Sequence, residues 1–348
     1  MPKISVLIPM YNRKHYIQDC VNSALNQTFQ DFEILIRDDG STDGSAEFVE
    51  KIYSKEISSG KIKLFHNEKN LGEWATDNRL IRDATGKYIM ILHSDDMYLP
   101  NGLEHMYTVA EKYGADVVHA PFFLYSPKGG VIEQGTKFKL SCLENHPVKQ
   151  IEIMSDKPAD RFSEWVNDGT SCDAQHNIFN RKFILDNEIF FKFGNRALSL
   201  WWLMSAKVYV KTPNIFYIYR DSPDSKTNTK SIYKISESIS TFMKISRHMD
   251  ELFPKVEFFN DNEEARYIAK AYLLSRLDNH EITRWGFYKD GITPEIQREV
   301  AAAFKKYFGD DYFYPAILFN MAHVMPYGKN VDKIVISTPP PLPKQLDS

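Results

Sequence analysis

Tyr88-Ile89-Met90-Ile91-Leu92, followed at once by His93-Ser94-Asp95-Asp96, is the segment on which the fold turns. A short apolar run that stops at a polar, acidic break reads as a strand with a loop at its carboxyl end. Before it lies a helical pattern from about Glu73 to Ala84, and before that a strand, Ile62 to Phe65. The same rhythm continues towards the N-terminus: a helix from about Ser45 to Ser58, a strand from Phe32 to Arg37, a helix from about Arg13 to Asn26, and a first strand from Ile4 to Ile8. Strands joined by crossover helices imply α/β architecture, with a mostly parallel sheet sandwiched by helices.

On the other side, Asn101 to Tyr113 reads as a helix and Asp116 to Ala120 as a further strand. Gly129-Gly130 has the look of a hairpin turn. Ser163 to Arg220 reads as helix, strand and helix, ending in an aromatic strand from Ile215 to Tyr219. Composition shifts at Asp221 to Lys230, where Ser, Pro, Asp, Thr and Asn crowd together. Three amphipathic patterns follow, Ser236 to Met249, Glu263 to Leu277 and Pro294 to Phe308, and then Pro339-Pro340-Pro341. The expected division is an α/β domain over 1–222, a smaller helical C-terminal domain over 231–330 and an extended Pro-rich tail over 331–348.

With 348 residues, 43% hydrophobic and 26% charged, the chain can bury a sizeable core, and its net charge of -3 gives no global pull towards nucleic acid or anionic membrane. Small-molecule chemistry is therefore the starting expectation. Cys20, Cys142 and Cys172 have no zinc-like spacing and read as buried thiols. The run Ile4 to Ile8 is too short for a signal peptide. No stretch reaches the ~18 to 20 apolar residues of a membrane span, since Asn320 and His323 interrupt Tyr314 to Met325. The expected location is the cytoplasm, with the inner face of a membrane as a working surface left open.

Ligands of open parallel sheets bind beyond the carboxyl ends of the strands. Three loops stand there: Pro9-Met10-Tyr11-Asn12, Asp38-Asp39-Gly40-Ser41-Thr42-Asp43 and Ser94-Asp95-Asp96. Singly, each reads as a turn or a helix cap. Together, after successive strands, they gather carboxylates around one crevice, and hard oxygen ligands of that kind favour Mg²⁺ or Mn²⁺. There is no Gly-x-Gly-x-x-Gly and no Gly-x₄-Gly-Lys-Ser/Thr, so charge on a bound phosphate must be met in another way.

These residues, in this order and spacing, resemble the family 2 glycosyltransferases, which have the GT-A fold. Ile4 to Asn12, Gln27-Thr28, Phe32 to Ser45, Asn67 to Gly72, Ala75 to Asn78 and Gly86 to Asp96 carry the resemblance, strongly to about Ala120 and weakly over Asn177 to Arg220. It implies a metal-dependent enzyme moving a sugar from a nucleoside diphosphate-sugar, with a UDP-sugar preferred, in cell-surface polysaccharide or glycoconjugate synthesis. Carried over, it puts Pro9 and Tyr11 around the base, with Asn12 in the same loop, and makes Asp39 the acceptor of a hydrogen bond from the base. Asp38 supports that loop, Asp95 lies by the ribose or metal, and Asp96 ligates the metal. Arg79 contacts phosphate or sugar.

Inverting members usually carry an acidic base ~25 residues before a terminal Tyr-Arg pair. Counting back from Tyr219-Arg220 reaches Arg196-Ala197, and Phe193 to Leu198 contains no carboxylate. The nearby substitutes are Asp173, His176 and Glu188. Asp173 fits best, because it precedes the Asn177 to Phe179 strand that lines the acceptor side in the resemblance. Arg196 offers a second idea, a cation for an anionic acceptor or sugar carboxylate. The missing base also motivates a rival reading, a donor-binding scaffold without catalysis. Nucleotidyl transfer is a further rival, opposed by the absence of a glycine-rich basic loop after the first strand. The acceptor is left open among saccharide, lipid-linked and protein hydroxyls. Trp285 to Tyr288 and Tyr312 to Tyr314, beside Lys305 and Lys306, read as helical core, with an acceptor platform, a homodimer contact and a peripheral membrane surface as alternatives.

Overall fold

A computed structural model describes residues 1–125, 139–140, 149–167, 173–192, 195–221 and 248–275. Its strands are β1 (Ile4–Met10), β2 (Phe32–Asp38), β3 (Ile62–His66), β4 (Tyr88–Ile91), β5 (Met97–Tyr98), β6 (Val117–His119), β7 (Phe122–Tyr125), β8 (Lys139–Leu140), β9 (Glu152–Ile153), β10 (Asn177–Asn180), β11 (Tyr209–Lys211) and β12 (Tyr217–Arg220). The helices that flank them are α1 (Ile17–Leu25), α2 (Ser45–Ile52), α3 (Ser54–Ser58), α4 (Glu73–Asp83), α5 (Gly102–Tyr113), α6 (Pro158–Val166), α7 (Arg181–Asp186) and α8 (Asn195–Ser205).

The central sheet has the order β3-β2-β1-β4-β10-β6-β11-β9. Its first four strands are parallel, and every residue of β1 and β2 is buried, as unbroken apolar runs between two helical layers require. The parallel order breaks at β10, which enters antiparallel to both β4 and β6. A second, smaller sheet, β5-β12-β7-β8, has no counterpart in the sequence reading beyond the aromatic strand that became β12.

Two polar residues inside the strands are held by a buried hub. Glu33 on β2 accepts from Ser5 Oγ at 2.6 Å, Thr85 N at 2.9 Å, Thr85 Oγ1 at 2.7 Å and Lys63 Nζ at 2.7 Å. Burial alone would raise its pKa; these donors outweigh it and hold the carboxyl below its ordinary value. The hub ties the entry of β4 to β1 and β2. Gln27, just past α1, does the same for α5: its Nε2 donates to Leu99 O at 2.7 Å and its Oε1 accepts from Leu103 N at 2.9 Å.

Two helices differ from expectation. The one expected from Arg13 starts at Ile17, because residues 12–14 are bound to the loop after β2. That expected over Ser45 to Ser58 is broken at Tyr53, whose buried side chain turns inwards to donate to Asn22 Oδ1 at 2.9 Å.

The chain divides into two compact units, Met1–Thr229 with Met243–Lys270, and Lys230–Phe242 with Ala271–Ser348. Residues 243–270, expected with the helical region, therefore group with the α/β unit. Met249, Leu252, Phe253, Val256 and Phe259 line an apolar contact with Leu200, Trp201 and Met204 of α8. The Gly129-Gly130 turn, the pattern after Ser275 and the Pro-rich tail lie outside the described residues. No helix among the described residues is long and apolar enough to cross a membrane.

Candidate active site

The parallel register fixes the edge at which the site forms. Met10 pairs with Asp38 and Leu7 with Ile91, so the loops after β1, β2 and β4 emerge side by side. Asn12 N donates to Ser41 Oγ at 2.9 Å, and Thr42 N donates to Asn12 Oδ1 at 2.8 Å. Asn12 adopts φ of 51°, a left-handed conformation that asparagine tolerates better than most residues. Pro9 is buried near the end of β1, whereas Tyr11, just after it, is 41% exposed.

Asp39 is buried and strongly engaged. Its Oδ1 accepts from Asn67 Nδ2 at 2.8 Å and Leu71 N at 2.8 Å, and its Oδ2 accepts from Gly72 N at 2.9 Å. A carboxylate oxygen has two lone pairs, so among the described residues Oδ2 keeps one acceptor position open. Asp38 accepts from Ser41 N at 3.2 Å and fixes the turn. Arg79 is exposed, with Nη1 donating to Asn67 Oδ1 at 2.7 Å, and Arg37 Nη1 reaches the same oxygen at 3.2 Å. In this state Arg79 thus supports the residue that supports Asp39.

The acidic pair after β4 is asymmetric. Asp96 is 1% exposed; its Oδ2 accepts from Tyr217 Oη at 2.5 Å and its Oδ1 from Arg220 N at 2.8 Å. Both donors belong to β12, so the second sheet grips the acidic loop. Burial, and then the neighbouring Asp95 charge, push the Asp96 carboxyl up to about 7. Asp95 is the more accessible, with its side chain 17% exposed and its Oδ2 3.4 Å from Arg13 Nε. Burial draws the His93 pKa down, but Glu73, Asp96, Asp77 and Asp95 outweigh it and raise it. His93 Nε2 lies 3.7 Å from Glu73 Oε1 at the start of α4.

Antiparallel β10 brings a further segment to this edge. Its partners are Asn180 against Tyr88 and Ile178 against Met90, so its amino end lies at the carboxyl end of β4. Asp173 and the 3₁₀ turn Ala174–His176 therefore reach the same edge as Asp95 and Asp96. His176 is 1% exposed, stacked on Phe122 at 4.0 Å and edge-on to Tyr217 at 5.2 Å, which makes it part of the packing behind Asp96. Glu188 pairs with Lys255 at 3.3 Å. Ala197 is buried on α8, while residues 193–194 and the Arg196 side chain lie outside the described residues.

The three loops are legible in the sequence; their partners are not. Tyr217 and Arg220 lie more than a hundred residues from Asp96, and only the aromatic strand signalled them. Arg13, absent from the candidate residues, directly follows Asn12 in the first of those loops. Among the described residues, no group of three or more His, Cys, Asp or Glu side chains is placed to hold a metal ion.

Residues 5–188, more than half of the chain, match the family model "Glycosyl transferase family 2". The chain is 27% identical over 299 residues to Glycosyltransferase GlyG of Streptococcus pneumoniae serotype 4, covering 82% of this chain and 93% of that one. It is 39% identical over 273 residues to an uncharacterized glycosyltransferase of Rickettsia felis, covering 75% of this chain and 44% of that longer protein. S. aureus TarS 1-349, solved with UDP-GlcNAc, superposes with a TM-score of 0.63 at 17% identity, over 92% of this chain and 89% of that one, and shares the GT-A fold. Three loops gathered at one edge of this sheet, and a family match running through all of them, lead to one conclusion: the chain belongs to glycosyl transferase family 2 and is a glycosyltransferase that uses a nucleotide-sugar donor.

Proposed function

We propose that the donor is a UDP-sugar held through Mn²⁺ or Mg²⁺, and that its sugar passes to an acceptor hydroxyl in polysaccharide or glycoconjugate synthesis. The observation that carries this reading is Asp39 Oδ2, which among the described residues accepts one hydrogen bond, from Gly72 N, at the end of the strand that pairs with the one leading to the exposed Tyr11. Uracil presents one N–H donor on its pairing edge, which one acceptor satisfies; guanine presents adjacent donors and asks for two. Tyr11 stacks on the base, Pro9 walls the pocket, and Asn12 and Asp38 keep the two loops in contact. Arg79 stays close enough to Asn67 to serve the phosphate or sugar through its other nitrogens.

The fit of a cation rests on the strained charge of the acidic pair. Asp96, pushed up to about 7 beside Asp95, is a buried carboxylate lacking its full counter-charge, and a hard divalent ion answers that lack. Asp95 offers the accessible oxygen; Asp96 lends its charge and the remaining lone pairs. When bound, the cation neutralises charge on the leaving diphosphate. The acceptor oxygen attacks the anomeric carbon as the bond to the diphosphate oxygen breaks, that oxygen takes the electron pair, and Asp173 accepts the hydroxyl proton, inverting the centre.

Calorimetry with UDP, with and without Mn²⁺, tests the donor site. Wild type is expected to bind UDP far more tightly with Mn²⁺, and Asp95→Asn to weaken the Mn²⁺-dependent affinity by about 10- to 100-fold. Equal affinity in the variant would remove the cation from Asp95. Asp173→Asn is expected to keep UDP binding and lose sugar transfer; full turnover would pass the base role to another residue.

A further inference from the structure

We infer that Arg13 is a resident counter-ion for Asp95, which a divalent cation must displace, and that its guanidinium then moves onto the donor diphosphate. The inference rests on the cation reading given above and concerns a residue that reading does not use.

Arg13 stands between two of the three loops. Its Nε lies 3.4 Å from Asp95 Oδ2, with the two side chains 20% and 17% exposed, so the pair is sheltered but reachable. Among the described residues no other basic side chain pairs with Asp95; Lys14, the next cation along, sits with Nζ 3.2 Å from where a Cβ on Gly44 would be. A positive group already occupies the electrostatic place of a metal at this carboxylate.

The backbone around Arg13 cannot follow if that group is displaced. Asn12 N is tied to Ser41 Oγ, Arg13 N to Ser45 Oγ at 2.9 Å, and Lys14 N to Asp43 Oδ2 at 3.1 Å. The side chain alone can turn, held among the described residues by Asp95 and by its Nη1 bond to Asn12 O at 3.2 Å. A guanidinium released next to the edge where a diphosphate lies meets two anionic groups it can bind through paired N–H donors. The exchange conserves charge: the metal takes the carboxylate and the arginine takes phosphate.

Such an exchange makes metal and nucleotide binding favour one another. Without nucleotide, Mn²⁺ competes with Arg13; with UDP present, Arg13 has a better partner and the competition ends. Removing the guanidinium should therefore tighten Mn²⁺ binding in the absence of nucleotide, an effect no structural lesion produces.

The test is Mn²⁺ titration of the full chain, by calorimetry or by the electron paramagnetic resonance of unbound Mn²⁺, with and without UDP. Arg13→Gln is expected to bind Mn²⁺ alone about three- to tenfold more tightly than wild type, in keeping with the worth of a partly sheltered ion pair. The enhancement of Mn²⁺ affinity by UDP should shrink by at least that factor. Arg13→Lys, which keeps the charge, should stay within about twofold of wild type without UDP. Equal or weaker Mn²⁺ binding by Arg13→Gln alone overturns the counter-ion role. Asp95→Asn separates the two possible failures: if it binds Mn²⁺ with UDP as wild type does, the cation reading falls and this role with it. If it loses Mn²⁺ while Arg13→Gln is unchanged, only the role of Arg13 falls.

Discussion

Asp96→Asn is expected to lower Mn²⁺-dependent sugar transfer by about a hundredfold while making the ligand-free protein more stable at pH 8. The two effects have one origin. Burial and Asp95 raise the Asp96 carboxyl from its ordinary 3.8 to about 7, so the folded protein binds this proton more tightly than the unfolded chain does. Stability from this group is then fully present below pH 3.8, and is lost as pH rises through about 7. Asparagine still accepts from Arg220 N through its oxygen and can donate from its nitrogen to Tyr217 Oη, reversing that bond, but carries no charge to desolvate. The gain at pH 8 should be roughly 2 to 4 kcal/mol, smaller at pH 5, where the wild-type carboxyl is largely protonated. Urea unfolding of both proteins at the two pH values, without metal or nucleotide, measures it. A variant less stable than wild type at pH 8 would mean that the hydrogen bonds to β12 outweigh the buried charge. Saturating Mn²⁺ and UDP should reverse the order, because ligand binding stabilises only the protein that holds the charge to receive it.

That trade explains what could and could not be read from the chain. β1, β2, β3 and β4 were legible because each is a short apolar run between helical patterns. That Pro9, Tyr11, Asn12, Asp38, Asp39, Asp95 and Asp96 gather at the carboxyl ends of these strands was legible from the same pattern. Direction was not: nothing in Asn177-Ile178-Phe179-Asn180 says that it runs antiparallel to Met90, yet this brings Asp173 to the edge of the site. Nor does Asp96 announce its burial, since its donors, Tyr217 and the Arg220 backbone, arrive on a strand of another sheet. A local pattern gives the residue type a site needs. The field around that residue, which sets its pKa and its exposure, is made by contacts across the whole unit.

Gly86→Ala tests how much of the site's geometry rests on the packing of β4 against β1. A Cβ built on Gly86 would lie 2.6 Å from Ser5 N and 2.8 Å from Ile4 C, both backbone atoms of a central strand that cannot swing aside. Gly86 N also donates to Ser5 Oγ at 2.8 Å, so strand and turn are locked at this point, next to Thr85 in the Glu33 hub. Relief requires β4 to move off β1 where Ile4 meets Tyr88. The expected loss is about 2 to 4 kcal/mol in denaturant unfolding. Gly60→Ala is the control: its φ of +77° makes alanine strained there too, but nothing lies within 4 Å, and about 1 kcal/mol is expected. If the two variants cost the same, the β1–β4 contact is more yielding than its distances imply. Because Leu7 pairs with Ile91 just before His93 to Asp96, a shifted β4 re-aims the acidic loop away from Arg13 and from the grip of β12. Gly86→Ala should therefore weaken Mn²⁺-dependent UDP binding even in protein that remains folded, although no residue of the crevice has changed.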